Sequence, residues 1–461
     1  MGNAYTLGAT TEASMSTSRA VLVGIQTRNQ SESELSASLD ELERLCDTLG
    51  FTVVGRLTQK LSSQNKRRVL GDGKLKELAK WTGGPGWIYR GPQLTKKKHD
   101  ERFGNQELPT EPGEDTEPKA DVVVVDAEMS PSQLRNLQTI TGVEVLDRAG
   151  VILEIFSRNA RSKEAKTQVE IARLVYMAPR LRETGGTSER AQGGIGGKGR
   201  GESNLELDRR KVRDRIAELR KELELIETKR GHRRARRRAA RQIALVGYTN
   251  AGKSSLMRQI TGADPYVADK LFATLDTQVR KLDAQIMPPV LVTDTVGFIR
   301  DLPHDLVASF RSTLDAALEA SFILHVVDAS DPSFRDHITV TTDVLKDIEA
   351  EDIPRVLVLN KCDVLNAEDE AALAEEFPES WRTSAKTPER IQALIVDIVD
   401  WFAQQLIEAK ILIPWAKAGV MGTIRGETEV LDESFEDDGI RYTLRGSKAS
   451  LARVAQALKA M

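Results

Sequence analysis

Apolar positions along the chain fall into two alternating signatures. Ala20-Val21-Leu22-Val23-Gly24-Ile25, Phe51 to Gly55, and the valines between Asp121 and Asp126 are short runs rich in β-branched residues. Such runs predict strands covered on both faces, as in a parallel sheet. Over Ser36 to Leu49 the apolar positions Leu35, Leu39, Leu42, Leu45 and Leu49 recur at helical spacing, and Lys74 to Ala79 reads as another helix. Strands alternating with helices predict a small α/β domain over residues 19–150. Residues 1–18 read as a disordered N-terminus. The region 81–119 reads as an insertion, because Phe103 to Lys119 is acidic, proline-bearing and aperiodic.

From Ser162 the period turns helical, with Ala165, Val169, Ala172 and Tyr176 on one face, until Pro179. Farther on, Val212, Ile216, Leu219, Leu223 and Ile226 recur at spacings of four and three, the seam of a helix pair. Residues 151–240 therefore predict a helical hairpin tipped by a glycine-rich loop over 185–203, which includes Gly193, Gly194, Ile195, Gly196, Lys198 and Arg200. A second strand-rich block spans 241–408. After Lys410, Ile411 to Pro414, Glu427 to Leu431, Ile440 to Leu444 and a helix from Ser447 to Leu458 suggest a β-β-α appendage over 409–461. Trp381, Trp401 and Trp415 read as core residues. The expected whole is a multidomain α/β protein, as a length of 461 residues also suggests.

Charge changes this picture locally. The net charge is −3, yet residues 186–241 hold 18 Lys and Arg against 9 Asp and Glu, a net +9 that leaves −12 elsewhere. A basic block in an acidic protein points to a localised polyanion contact. Within it, Arg233, Arg234, Arg236, Arg237 and Arg238 read equally as a solvated helix face or as an RNA contact. The two cysteines, Cys46 and Cys362, lack any paired spacing, which fits a reducing compartment. No apolar run approaches the roughly 20 residues a membrane span needs, and no signal-peptide layout opens the chain. A cytoplasmic monomer is the expectation. Met1-Gly2-Asn3-Ala4-Tyr5-Thr6 satisfies an acylation pattern too short to carry weight, and Met15 offers an alternative start.

The chemistry concentrates in the second block. Ile243-Ala244-Leu245-Val246 is a strand run, followed by Gly247-Tyr248-Thr249-Asn250-Ala251-Gly252-Lys253-Ser254, a complete G-x-x-x-x-G-K-S loop. Its backbone N–H groups close around phosphates, Lys253 reaches the β and γ oxygens, and the Ser254 hydroxyl binds Mg2+. Leu291-Val292-Thr293-Asp294-Thr295-Val296-Gly297 is a strand ending in D-x-x-G. There Asp294 can hold the metal's outer sphere and the Gly297 N–H can sense the γ-phosphate. Asn360-Lys361-Cys362-Asp363 follows a third strand run. Its Asp363 can accept from guanine N1–H and the exocyclic amine, and adenine would leave that carboxylate unpaired. Ser384-Ala385-Lys386 resembles the last guanine-contacting motif. In Phe272-Ala273-Thr274-Leu275-Asp276, Thr274 is the candidate switch threonine on Mg2+, with Thr277 as competitor. Cys362 fills the variable slot of its motif.

One position departs from this pattern. Phe298 follows Gly297 where many GTPases carry a water-orienting glutamine. Intrinsic hydrolysis should be slow, with the missing group supplied by a partner, another loop or a monovalent cation. Asn250 sits where related GTPases use asparagine to help coordinate K+, which makes K+ a candidate second cation.

Together these residues resemble the HflX-type GTPases of the translation-factor class. The specific parts are Asp147-Arg148-Ala149-Gly150-Val151-Ile152-Leu153-Glu154-Ile155-Phe156, Gln192 to Gly196 with Gly201-Glu202-Ser203, and Phe298-Ile299-Arg300-Asp301-Leu302-Pro303-His304. The resemblance covers Ala20 to the C-terminus. It implies an N-terminal α/β domain with a helical hairpin, a central GTPase domain and a small C-terminal domain. It further implies binding of the large ribosomal subunit and its rRNA near the peptidyl-transferase centre, and splitting of stalled or idle ribosomes. Two features depart from the family: the 81–119 insertion, and Asp276-Thr277-Gln278, where a proline and further threonines are usual.

A glycine loop carrying Lys198 and Arg200 could enter an RNA cavity closed to bulky side chains. From the residues alone a disordered linker with solvated charges is the alternative, and the resemblance favours the RNA contact. His304 reads as a packing or hydrogen-bonding residue of the second switch rather than a catalytic base. Three functional classes remain open: a ribosome-splitting GTPase, a ribosome-assembly or RNA-modification GTPase, and a slow-hydrolysing nucleotide sensor.

Overall fold

The computed structural model describes residues 18–28, 30–60, 69–86, 119–181, 204–237, 241–262, 271–272, 274–282, 289–300 and 317–460. Residues 1–17, most of the 81–119 insertion, the Gly193 to Arg200 loop, Arg238, Ala273 and His304 lie outside these residues, and of Arg233 and Arg234 only the backbone is described. The chain divides into two compact units, one of residues 1–158 with 169–218, the other of 159–168 with 219–461.

In the first unit, β1 (Arg19–Gln26), α1 (Glu32–Leu49), β2 (Thr52–Lys60), α2 (Asp72–Thr82), β3 (Val122–Asp126), α3 (Pro131–Thr141) and β4 (Glu144–Asp147) alternate as the apolar pattern requires. Local chemistry sets the ends. Ser31 and Glu34 form a capping box at the start of α1, Ser130 and Gln133 one at the start of α3, and Gly50 closes α1 at φ 79°. The strands pair in parallel in the order β2-β1-β3-β4.

Residue 150, where the first domain was expected to end, lies within a helix. Helix α4 (Arg148–Asn159) runs straight through it and buries Val151, Ile152, Leu153, Ile155 and Phe156. An apolar run that continues a helix belongs with the core it covers, and residues up to 158 belong to the first unit. Helix α5 (Lys163–Met177) and the 34-residue α6 (Asn204–Arg237) follow. On α6 Val212 and Leu219 are buried, while Ile216, Leu223 and Ile226 are half-buried.

The central sheet is built from β5 (Arg241–Val246), β6 (Gln278–Lys281), β7 (Val290–Asp294), β8 (Phe322–Asp328), β9 (Arg355–Asn360) and β10 (Trp381–Arg382). The strands lie in the order β10-β9-β8-β5-β7-β6, parallel except for β6. Helices α7 (Lys253–Thr261), α8 (Phe334–Asp347), α9 (Ala367–Glu376) and α10 (Pro388–Gln404) connect them. Trp401 stacks on Phe322 at 3.8 Å and Trp381 packs at the edge of the same cluster, both as expected.

The last domain needs two corrections. β11 (Ile407–Pro414) starts before residue 409, and the helix α11 (Met421–Glu427) precedes β12 (Glu429–Glu436), β13 (Gly439–Gly446) and α12 (Lys448–Ala460). The appendage is thus β-α-β-β-α with an antiparallel sheet β11-β13-β12, because Val420 and Ile424 bury against that sheet. Trp415, expected in the core, is 50% exposed; its Nε1 donates to the Asp437 carbonyl at 3.1 Å and its ring stacks on Phe435.

Candidate nucleotide site

Strand β5 lies between β7 and β8, where the strand order reverses. The crevice beyond the carboxyl ends of such strands is where open α/β sheets bind ligands. The loop Gly247 to Gly252 occupies that place and runs into α7 at Lys253. Its end glycines are obligatory. A Cβ at Gly247 would come within 2.0 Å of the Val326 carbonyl, and one at Gly252 within 2.2 Å of Asn360 Nδ2. Asn250 sits in the left-handed region at φ 60°.

Lys253 is buried and donates to the carbonyls of Gly247 at 2.9 Å and Tyr248 at 2.6 Å. Burial lowers its pKa to about 8, against the attraction of Asp294. The Ser254 hydroxyl lies 2.7 Å from Thr274 Oγ1 and 2.6 Å from Asp294 Oδ2. Asp294 is 1% exposed, burial pushes its carboxyl up, and its Oδ1 has no hydrogen-bond partner. Two hydroxyls beside a buried carboxylate that keeps one oxygen without a hydrogen-bond partner fit a small hard cation such as Mg2+. Thr277 Oγ1 is buried without a partner, so Thr274 is the threonine that reaches Ser254.

Gly297 lies directly on the loop: a Cβ there would meet Thr249 Cα at 2.8 Å and Lys253 Nζ at 2.9 Å. Phe298 stitches the two segments. Its N–H donates to the Gly247 carbonyl at 3.1 Å, and its carbonyl accepts from the Thr249 N–H at 2.7 Å. Its ring belongs to the apolar cluster of Ala244, Val246, Ile323 and Leu345. The position offers bulk to the core and no side-chain donor to a water. Tyr248 adds a tie the sequence did not suggest: its hydroxyl accepts from the Arg300 N–H at 2.7 Å, and its ring stacks on His337 at 3.8 Å.

On the base side, Asn360 Nδ2 donates to the Ala251 carbonyl at 2.8 Å, and its Oδ1 accepts from Ala385 N–H at 3.3 Å. The asparagine thus clamps the phosphate loop to the Ser384-Ala385-Lys386 turn. Lys361, at φ 63°, pairs with Asp328 at 2.6 Å. Ser384 Oγ donates to Asp363 Oδ1 at 2.6 Å, and Lys386 Nζ lies 3.9 Å from Asp363 Oδ2. Cys362 is buried, with its Sγ 3.3 Å from the Leu359 carbonyl. All described members of the loop, metal and base motifs therefore meet at one sheet edge.

Sequence reasoning also missed a second group. Asn159 Nδ2 donates to the Phe272 carbonyl at 2.8 Å, and Asp276 accepts from the N–H groups of Arg161 at 3.3 Å and Ser162 at 3.1 Å. Nothing local signals a contact across 114 residues.

The fold and this site define a P-loop GTPase. Residues 242–361 match the family described as 50S ribosome-binding GTPase, 159–237 the GTP-binding GTPase middle region, and 36–84 with 112–157 the GTP-binding GTPase N-terminal region. GTPase HflX of Gluconacetobacter diazotrophicus is 48% identical over 444 residues, covering 96% of this chain and 98% of that one. GTPase HflX of Escherichia coli is 37% identical over 384 residues, 82% of each chain. A solved GTP-binding protein of Sulfolobus solfataricus in complex with GDP covers 84% of this chain and 99% of its own, at 22% identity and a TM-score of 0.41. The chain belongs to the HflX family of GTPases and is a GTP-binding, GTP-hydrolysing enzyme. Among the described residues no helix is long and apolar enough to cross a membrane.

Proposed function

We propose that this GTPase uses Mg2+ to bind guanine nucleotides, associates with the large ribosomal subunit through rRNA, and splits stalled or idle ribosomes in the cytoplasm. The observation that carries the ribosomal reading is the match of residues 242–361 to the 50S ribosome-binding GTPase family. The net +9 of residues 186–241 supports it as a polyanion-binding block.

In this reading the N–H groups of Gly247 to Lys253 and the Lys253 ammonium hold the phosphates. Ser254 and Thr274 hold Mg2+, with Asp294 behind them, and Gly297 senses the γ-phosphate. Asp363, oriented by Ser384, accepts from guanine; Asn360, Lys361, Ala385 and Lys386 frame the base. Mg2+ held by these residues would supply neutralisation of the charge that develops on the phosphates. Phe298 offers attacking water no hydrogen bond, so a ribosomal group, another loop or a monovalent cation would have to supply what the side chain lacks, and Asn250 is the residue that would help hold K+ there. Replacing K+ by Na+ should then slow turnover, with Asn250→Ala erasing the difference.

Phe298 also favours a second reading, a slow nucleotide sensor. Light scattering of 70S-type particles separates the two. Deleting residues 193–201 should leave GTP affinity normal while splitting and ribosome-stimulated hydrolysis fall sharply. Normal splitting by the deleted protein would refute the role of that segment. Absence of any ribosome stimulation in the intact protein would leave the sensor.

A further inference from the structure

We infer that Asn159 and Ser162, which precede the GTPase domain by some eighty residues of sequence, are positioning residues for the switch threonine Thr274. Both belong to the same compact unit as the nucleotide site. The inference rests on the reading of Thr274 as a Mg2+ ligand and extends it to the side chains that hold that threonine in place.

Thr274 is fastened two residues away on either side. Upstream, the Phe272 carbonyl accepts from Asn159 Nδ2 at 2.8 Å. Phe272 has φ 56°, a conformation that costs a bulky side chain energy and persists only where neighbours enforce it. Downstream, the Asp276 carboxylate accepts from the backbone N–H groups of Arg161 and Ser162 and from the Ser162 hydroxyl. The same hydroxyl oxygen accepts from the Ala165 N–H at 3.0 Å, so Ser162 caps α5 while it holds Asp276. A carboxylate at the unsatisfied N–H groups of a helix start is held by the local dipole as well as by its hydrogen bonds. Between the two fastenings Leu275 is 1% exposed, and Thr274 Oγ1 meets Ser254 at 2.7 Å.

Ordering a switch segment around metal and γ-phosphate costs conformational entropy. Anchors on both flanks remove much of that cost in advance. They also make the entry of α5, the first helix of the hairpin, part of the nucleotide-sensing element. Linkage then runs both ways: displacing the Asn159 to Ser162 segment weakens the triphosphate state, and binding of Mg2+ with a GTP analogue tightens that segment.

The test compares fluorescent GDP with a non-hydrolysable GTP analogue across a Mg2+ titration, in the intact chain and in the Asn159→Ala/Ser162→Ala variant. The variant should bind the GTP analogue about 10-fold more weakly, a change of about 1.4 kcal/mol, and need more Mg2+ for half-saturation. GDP affinity should not change. Ser162→Thr, which keeps the hydroxyl, should restore most of the loss. Hydrogen exchange should show residues 159–165 protected by the Mg2+-bound analogue and not by GDP. An unchanged Mg2+ requirement, or equal losses for GDP and the analogue, overturns the inference. Thr274→Ala separates it from the reading beneath it: a normal Mg2+ requirement there means Thr274 is no ligand. An impaired Thr274→Ala beside a normal double variant means that only the anchoring assignment fails.

Discussion

The chain builds the carboxyl edge of a parallel sheet twice, and the two edges carry buried charge in opposite ways. In the N-terminal sheet, Asp126 ends β3 and Asp147 ends β4. Arg148 pairs with Asp126 and with Glu41, both at 2.9 Å, and all three side chains are at most 7% exposed. Asp147 accepts from the Gly150 N–H at 2.8 Å, the Tyr176 hydroxyl at 2.7 Å and Arg180 at 3.1 Å. Asp126 and Asp147, the two carboxylates described at that edge, are both answered from within. At the GTPase edge, Asp294 keeps one oxygen without a partner, and Lys253 is folded back onto carbonyls that a phosphate would replace. Fold and edge are alike. The difference lies in which charge is left incomplete: the atom without a hydrogen-bond partner beside Asp147 is a donor, Arg180 Nε, whereas at the GTPase edge it is a carboxylate oxygen, costly unless a cation completes it.

Breaking each edge should therefore give opposite results. Arg148→Met strands Glu41 and Asp126 in the interior and should cost about 3–5 kcal/mol of stability, read as a lower denaturation midpoint. Lys253→Met removes a cation whose hydrogen bonds go to the Gly247 and Tyr248 carbonyls and which Asp294 only attracts, and it should change stability by about 1 kcal/mol or less, while abolishing nucleotide binding in calorimetry. Comparable destabilisation by both would erase the distinction.

Asp363 lies between these extremes, with one oxygen satisfied by Ser384 and the other only approached by Lys386. Its removal sharpens the comparison, because only the unsatisfied oxygen should matter to ligand. Asp363→Asn should weaken GTP by about 1.5–3 kcal/mol, the worth of hydrogen bonds to a charged group. It should also improve xanthosine nucleotides, whose 2-oxo group prefers a donor. Unchanged GTP affinity would remove the case for guanine recognition through this side chain.

The nucleotide motifs were legible because their physics is local: glycines required by close approach, a lysine and serine at fixed offsets, and strand runs on either side. The C-terminal β-strands showed through in the same way. Element limits were less legible. The N-terminal domain was expected to end at residue 150, yet α4 runs through that position because Val151 to Phe156 has a core to cover. Trp415 was misplaced because aromatic character says nothing of whether a sheet edge has room for the ring. The Asn159 and Ser162 contacts were invisible, since the residues that meet them lie more than a hundred positions away. Phe298 was legible as an absence of hydrogen bonding, but its place in the apolar cluster beneath the loop came only with the fold.

His325 tests whether every incomplete polar group in the GTPase sheet marks a ligand. It lies on β8 beside Val246, is 4% exposed, and its Nε2 has no hydrogen-bond partner. Unlike Asp294, it can escape the cost by staying neutral. Burial lowers its pKa from 6.5 to about 3, with Arg355 and Lys253 adding repulsion. The unfolded chain therefore binds a proton below about pH 6.5 that the folded chain refuses, so stability falls as pH drops from that point toward 3. At 1.36 kcal/mol per pH unit, this one group should remove about 2 kcal/mol by pH 5. His325→Leu fills the site without a titrating group, and its stability should be flatter than wild type between pH 7 and 5 by that amount, measured by urea denaturation at each pH. Nucleotide affinity at neutral pH should be unaffected, because a neutral imidazole offers the pocket no charge. Parallel pH profiles would show that the histidine is protonated or hydrated in the folded state, and the orphaned nitrogen would then belong with Asp294 rather than apart from it.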